Sequence, residues 1–190
     1  MEQAVREHPK VADYHLGLAS ALEAHGQLER ALEHTRRAAQ LEPDQLAAWW
    51  TLARRLGQGG HSAEAVRAYR EALRIAPNRP DLLSGLVWVL ATGAPAERRA
   101  ENEAVELAGQ ACRMTRHSSA QALLVLGVAE AQAGRFSEAI ASATRAADLA
   151  RVTGDEQTAA LVDDLLQSWR ASRAQPAPEA RRDRSRQPAR

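Results

Sequence analysis

Six histidines, one cysteine, several close carboxylates and one glycine run are the residues of this chain whose types could do chemistry. A structural or catalytic metal needs three or four converging ligands. Histidines 8, 15, 25, 34, 61 and 117 form no His-x3-His or Glu-flanked pair on one helix face, so they read as solvated or half-buried side chains. Cys112 follows Ala111 on an apolar helix face and reads as a small core filler, not a reactive thiol. Gly57-Gln58-Gly59-Gly60 lacks the Lys-Ser/Thr of a phosphate loop and follows a helical pattern, which makes it a turn. Asp163/Asp164 and Glu101/Glu103 fall on exposed faces or loops, where nothing raises a carboxyl pKa for general-acid work. The chain therefore reads as non-enzymatic, with no cofactor, no metal and no small-molecule substrate.

The elements that carry these residues follow a fixed step. Pro9, Pro43 and Pro77 are equally spaced, and the same interval separates Ala4/Ala38/Ala72, Leu18/Leu52/Leu86, Leu22/Leu56/Leu90, Gly26/Gly60, Ala31/Ala65 and Leu41/Ile75. A period of this length, about 34 residues, marks a solenoid built from one supersecondary unit. The unit is a helical hairpin. Trp49, Leu52, Ala53 and Leu56 form one apolar face at i, i+3, i+4, i+7; the glycine run breaks that helix; Ala65, Tyr69, Ala72 and Leu73 line the second. Pro77 excludes helical conformation at Ala76 and opens the next unit. Ala53, Ala65 and Ala72 belong where the two helices approach most closely.

The pattern Trp49-x2-Leu52-Ala53-x2-Leu56, Ala65-x3-Tyr69 and Pro77 resembles the tetratricopeptide repeat. Residues 1–11 fit the second helix of an incomplete repeat. Residues 12–45 form the first full one, departing from the family at Thr35, where an aromatic is preferred, and at His15, which replaces a core aromatic. Residues 46–79 make the second. The third, 80–118, has an enlarged hairpin loop around Gly93 and Pro95, because Ala111 arrives later than one full step after Ala72. The fourth spans 119–153, with Arg151 at the proline position, as Arg116 is in the third. A capping helix over 154–173 follows, carrying Leu161, Val162, Leu165, Leu166 and Trp169, and 174–190 is an Arg/Pro-rich tail expected to be disordered. The expected fold is an all-α, right-handed superhelix.

In this family the first helix of each hairpin lines the inner groove, and the resemblance carries over position by position. It implies exposed Asp13, Leu16, Ser20 and Glu23 in the first unit, and Ala47, Trp50, Thr51, Arg54 and Gln58 in the second. Asp81, Ser84, Trp88 and Thr92 follow in the third, and Gln121, Leu124, Val128 and Gln132 in the fourth. Trp50 and Trp88 beside Arg54 suit a peptide anchor, although the same tryptophans also suit packing against a neighbouring helix. Leu16, Ser20, Trp50 and Arg54 do not match the Lys/Asn set that grips chaperone tails, apart from the charge of Arg54.

Three functions fit. The leading one is a scaffold holding a peptide or helix of a partner protein in the groove. A second is the C-terminal regulatory or assembly module of a larger bacterial enzyme of glycosyltransferase, sulfatase or kinase type, since many such proteins trail arrays of this kind. A third is a homo-oligomer formed through the unpaired N-terminal helix. A net charge of +1 does not support a whole-chain grip on nucleic acid or membrane. The tail's arginines at 181, 182, 184, 186 and 190 offer only a local patch. The uncharged stretch from Leu82 to Ala96 is shorter than a membrane span and interrupted by Gly93 and Pro95, so a cytoplasmic location is expected.

Overall fold

The computed structural model describes residues 1–93 and 98–174. Residues 94–97 of the enlarged loop and 175–190 of the tail lie outside the described residues. Ten α-helices make up the described chain: α1 (Glu2–Glu7), α2 (Ala12–Ala24), α3 (Leu28–Leu41), α4 (Leu46–Gln58), α5 (Ser62–Ile75), α6 (Pro80–Thr92), α7 (Arg98–Met114), α8 (Ala120–Gln132), α9 (Phe136–Thr153) and α10 (Glu156–Ala174). α2 pairs with α3, α4 with α5, α6 with α7 and α8 with α9, and each pair stacks on the next to give an all-α solenoid.

The turns of the α2–α3, α4–α5 and α8–α9 hairpins are closed alike. Gly26, Gly60 and Gly134 adopt φ of 73°, 78° and 74°, a left-handed geometry that glycine enters without a Cβ penalty. The residue after each glycine donates back across the helix end: Gln27 to Leu22 O, His61 to Leu56 O and Arg135 to Glu130 O, at 2.8–2.9 Å. Small side chains set the helix spacing. Ala53, Ala65 and Ala72 are all fully buried, and Leu56, Leu82 and Leu86 fill the volume between hairpins, each contributing about 2 kcal/mol by leaving water.

Where proline is missing the chain turns differently. Arg116 and His117 both take left-handed φ, 51° and 55°, and His117 N–H reaches Cys112 O at 2.7 Å. At Arg151 nothing stops the helix, so α9 runs on to Thr153 and ends at left-handed Gly154. Asp155 then caps α10, accepting from Thr158 N–H at 3.0 Å.

The first-helix aromatic position has a second duty. Trp49 Nε1 donates to Pro43 O at 2.8 Å, tying the helix to the turn before it. His15, at the equivalent position one repeat earlier, places Nε2 3.0 Å from Pro9 O. Histidine thus replaces tryptophan here because both present a ring N–H to the proline carbonyl. With Nε2–H so used, His15 Nδ1 is left to accept, and His34 Nδ1–H donates to it at 3.0 Å. The sequence expectation of scattered, solvated or half-buried histidines is corrected for this pair: His15 is buried, and the hairpin fold brings the distant His34 ring against it.

Candidate functional site

A groove of about 740 Å³ runs along α6, bordered by α4 and α5 on one side and α8 on the other. Pro80 and Asp81 lie at the start of α6 and Trp88, Val89 and Thr92 near its end, so the strip is about 18 Å long at 1.5 Å per residue. Arg54, Gln58, Trp88 and Gln121, four of the residues singled out in the sequence, line it together. Trp50, Asp13, Leu16 and Ser20 lie outside its lining. Asp13 instead accepts from Gln45 Nε2 at 2.9 Å, and Leu16 packs partly buried against the apolar cluster of the first two hairpins.

Both tryptophans are exposed, Trp50 by 39% and Trp88 by 40%. Their surroundings differ. The Arg79 guanidinium lies 5.5 Å from the Trp50 ring centroid and is itself held by Asp81, Nε to Oδ1 at 2.9 Å and Nη2 to Oδ2 at 2.6 Å. That bidentate bond holds the Asp81 carboxyl below its ordinary pKa, so both ions are satisfied by each other. Trp88 carries no such cation among the described residues, and its face is the open aromatic surface of the groove.

Arg54 has a weak counter-ion. Its Nη2 is 3.8 Å from Glu23 Oε1, but Glu23 is committed to Arg55, which donates to Oε2 at 2.7 and 3.2 Å. Hydrogen bonding from Arg55, foremost, holds the Glu23 carboxyl below its ordinary value. Arg55 is 8% exposed and also donates to Thr35 Oγ1. This accounts for the departure at Thr35. Its short side chain leaves room for an arginine from the next hairpin, whereas Tyr69, its counterpart in the next repeat, fills the equivalent space with a ring.

Tyr69 reaches the groove through a gap at Gly85. A Cβ at position 85 would stand 2.5 Å from the phenol Cζ and oxygen, so only glycine admits this ring. The residue is 6% exposed, and its hydroxyl has no hydrogen-bond partner among the described residues. Burial pushes the phenol pKa up, which keeps the hydroxyl protonated and able to donate. Neither Arg55 nor the Tyr69 hydroxyl is marked by the helical apolar pattern. The signal available for both was the alignment of the repeats, which sets Thr35 against Tyr69, Thr51 against Gly85 and Arg55 against Val89.

The fourth unit corrects the expected groove. Val128, 7% exposed, lies outside the lining and packs in one apolar cluster with Val162, Leu166 and Trp169 of α10. Leu124, by contrast, lines the groove wall although it is only 1% exposed. α10 therefore closes the groove at Gln121 and sends Leu161 into its end. Cys112 is fully buried, and that burial raises the thiol pKa and keeps it protonated. His15 and His34 gain no third metal-ligating side chain among the described residues. No described helix is long and apolar enough to cross a membrane.

A family model described as tetratricopeptide repeat matches residues 5–176. Among curated proteins none matches. Among solved structures the fold is similar to MamA, residues 41 to the end, from Desulfovibrio magneticus RS-1, at 17% identity over 86% of this chain and 97% of that one (TM-score 0.64). It is similar also to YrrB, described as a TPR protein with an unusual peptide-binding site, at 18% identity over 90% and 92% (TM-score 0.60). A third likeness is PilW, described as a widely conserved type IV pilus biogenesis factor, at 18% identity over 84% and 78% (TM-score 0.60).

Proposed function

The chain belongs to the tetratricopeptide repeat family, and from that premise we propose that it is a non-catalytic scaffold whose α6 groove holds an extended peptide segment of a partner protein. One observation carries the reading: the open Trp88 face and the Arg54 side chain, itself 48% exposed, line the same groove. An aromatic and an arginine converging in a concavity form the usual composition of an interface hot spot. At about 3.3 Å per extended residue, a strip of about 18 Å accommodates five or six residues of ligand. Gln58, Ser62, Thr92, Ser119 and Gln121 supply side-chain donors and acceptors for its backbone. The peptide-binding site named for YrrB is a precedent on the same fold. Panning a random 12-residue phage library on the protein tests this. Clones recovered on the wild type should fall to background on Trp88→Ala. Equal recovery on that variant would place the anchor elsewhere.

A second reading, self-association through α1, is favoured by the fact that none of the helix's residues is buried and Met1 is 57% exposed. Light scattering of the chain with and without residues 1–11 decides it. An unchanged mass would exclude the idea.

A further inference from the structure

Resting on the reading of the groove as a peptide site, we propose that its central subsite is a receptor for one carboxylate side chain, bound by Arg54 and the Tyr69 hydroxyl, with an aromatic or aliphatic ligand residue on Trp88. Three observations concern residues that line this one groove, and the Arg54 charge acts on the Tyr69 phenol. Arg54 is the groove's under-compensated cation: Arg79 is taken up by Asp81 at 2.6 and 2.9 Å, while Arg54's carboxylate neighbour at 3.8 Å is held more tightly by Arg55. The Tyr69 hydroxyl is a donor with no partner among the described residues, on a side chain 6% exposed that lines the groove. The hydroxyl itself keeps solvent contact on the groove side, so a ligand acceptor replaces water there with a direct hydrogen bond. Position 85 is glycine in the one place where a Cβ would meet the phenol oxygen at 2.5 Å, so the hydroxyl's path to the groove depends on that residue.

Charge selects the ligand. One guanidinium with its counter-ion engaged elsewhere offers about one unit of positive charge, which matches a carboxylate and not a dianionic phosphate. The flanking groups are neutral amides and hydroxyls on both sides of the subsite: Gln58 and Ser62 toward the hairpin turn, Thr115 and Ser119 toward the opposite end. They suit a backbone that continues past the anchor in both directions, so the acid is an internal Asp or Glu.

The test starts from phage clones selected on the wild-type protein and remade as synthetic peptides blocked at both ends. Their affinities are read by fluorescence anisotropy. Selected sequences should carry Asp or Glu within two residues of an aromatic or aliphatic one. Changing that acid to its amide should weaken binding about tenfold or more, the usual scale for losing a hydrogen bond to a charged group. Tyr69→Phe keeps the ring and removes the donor. It should cost the acidic peptide about tenfold and leave the amide peptide unchanged, and Arg54→Gln should behave likewise. Circular dichroism checks that both variants remain folded. Peptides that need Trp88 but show no acid preference, or that bind Tyr69→Phe and Arg54→Gln normally, would overturn the subsite while leaving the groove reading intact. Failure to recover any Trp88-dependent clone would overturn both. A phosphoserine replacement binding tenfold tighter than the acid would reassign the subsite to phosphate and overturn the carboxylate assignment.

Discussion

Replacing Arg55 by valine should destabilise the protein by about 2–3 kcal/mol, while adding Thr35→Tyr and Thr51→Gly to the same chain should restore most of the loss. The single change removes two hydrogen bonds to Glu23, at 2.7 and 3.2 Å, one to Thr35 and a long one to Ser20 Oγ at 3.5 Å. Breaking a fully buried pair costs about 3–5 kcal/mol, because the partner is left charged and dry. Glu23 is not dry: its side chain is 29% exposed and Arg54 lies 3.8 Å away to take it over, which brings the expectation to the lower figure. The triple change copies the solution used in the next repeat, where Tyr69, Gly85 and Val89 occupy the equivalent positions. Exchanging a buried ionic cluster for well-packed apolar groups is commonly neutral or stabilising, so the triple variant should lie within about 1 kcal/mol of the wild type. Thr35→Tyr alone should lose at least as much as Arg55→Val, since Thr51 presents a Cβ at the position where Gly85 alone admits the ring of Tyr69. Urea unfolding at pH 7 followed by circular dichroism reads these differences as midpoint shifts of about 1 M. Acid adds a check. Glu23's pKa is lowered on folding, so the pair's contribution is complete above the ordinary value of 4.5 and fades as pH falls through the lowered one. The gap between wild type and Arg55→Val should narrow in that window. A loss below about 0.5 kcal/mol for the single variant, or a triple variant no better than it, would refute the repeat-exchange reasoning.

Gly85→Ala should cost roughly 1–3 kcal/mol and reduce peptide capture, because the new methyl meets the Tyr69 ring at 2.5–2.6 Å; thermal melts and anisotropy report the two effects. Arg116→Gly should raise stability by about 0.5–1 kcal/mol, seen as a higher melting temperature, since a non-glycine residue at φ 51° carries a left-handed penalty that glycine avoids. Burial, its largest cause, raises the Glu130 pKa, so its charge works against folding as pH rises through the raised value; Glu130→Gln should gain stability at pH 7, keep the 2.8 Å bond from Ser142 Oγ, and flatten that part of the pH profile. Desolvation first, then His15, lowers the His34 pKa, so stability is full above pH 6.5 and declines as pH falls through the lowered value; His34→Gln should remove that decline in melts across pH 4 to 8.

The apolar framework was legible because period and helix geometry constrain the same residues twice. Ala65 had to be small both as part of the repeat pattern and as a helix-contact position, and it is fully buried. Polar contacts between hairpins obey no such double constraint. Nothing in α4 marks Arg55 as turned inward, since an arginine on a helix is ordinarily solvated; its placement depends on Thr35 being short, a fact carried by the preceding hairpin. Treating every first helix alike puts both Leu124 and Val128 in the groove, but only Leu124 lines it. Val128 packs in one cluster with α10, the last element of the stack, a property of array position and not of local pattern. His15 illustrates the reverse case. Its departure from an aromatic is conspicuous, yet the ring N–H bond to Pro9 O preserves the function of the residue it replaces.

The same substitution logic links the core to the groove. At the inter-hairpin position the first unit has Thr35 beneath Arg55, with Glu23 completing a closed set of ionic partners, so nothing from that set remains for a ligand. The second unit has Tyr69 against Gly85 and Val89, an apolar packing that leaves the phenol oxygen as the one polar atom of the three side-chain positions. Closing the first set also diverts Glu23 from Arg54, and Arg54 faces the groove onto which Tyr69 opens. Two different answers to one packing problem in consecutive repeats thus leave an under-compensated cation and an unpartnered donor on the same groove. The divergence between the repeats, more than the repeat itself, gives this surface its chemical preference. Removing the divergence by the triple exchange should then free Glu23 to pair with Arg54 and weaken capture of acidic peptides, even though no altered residue lines the groove.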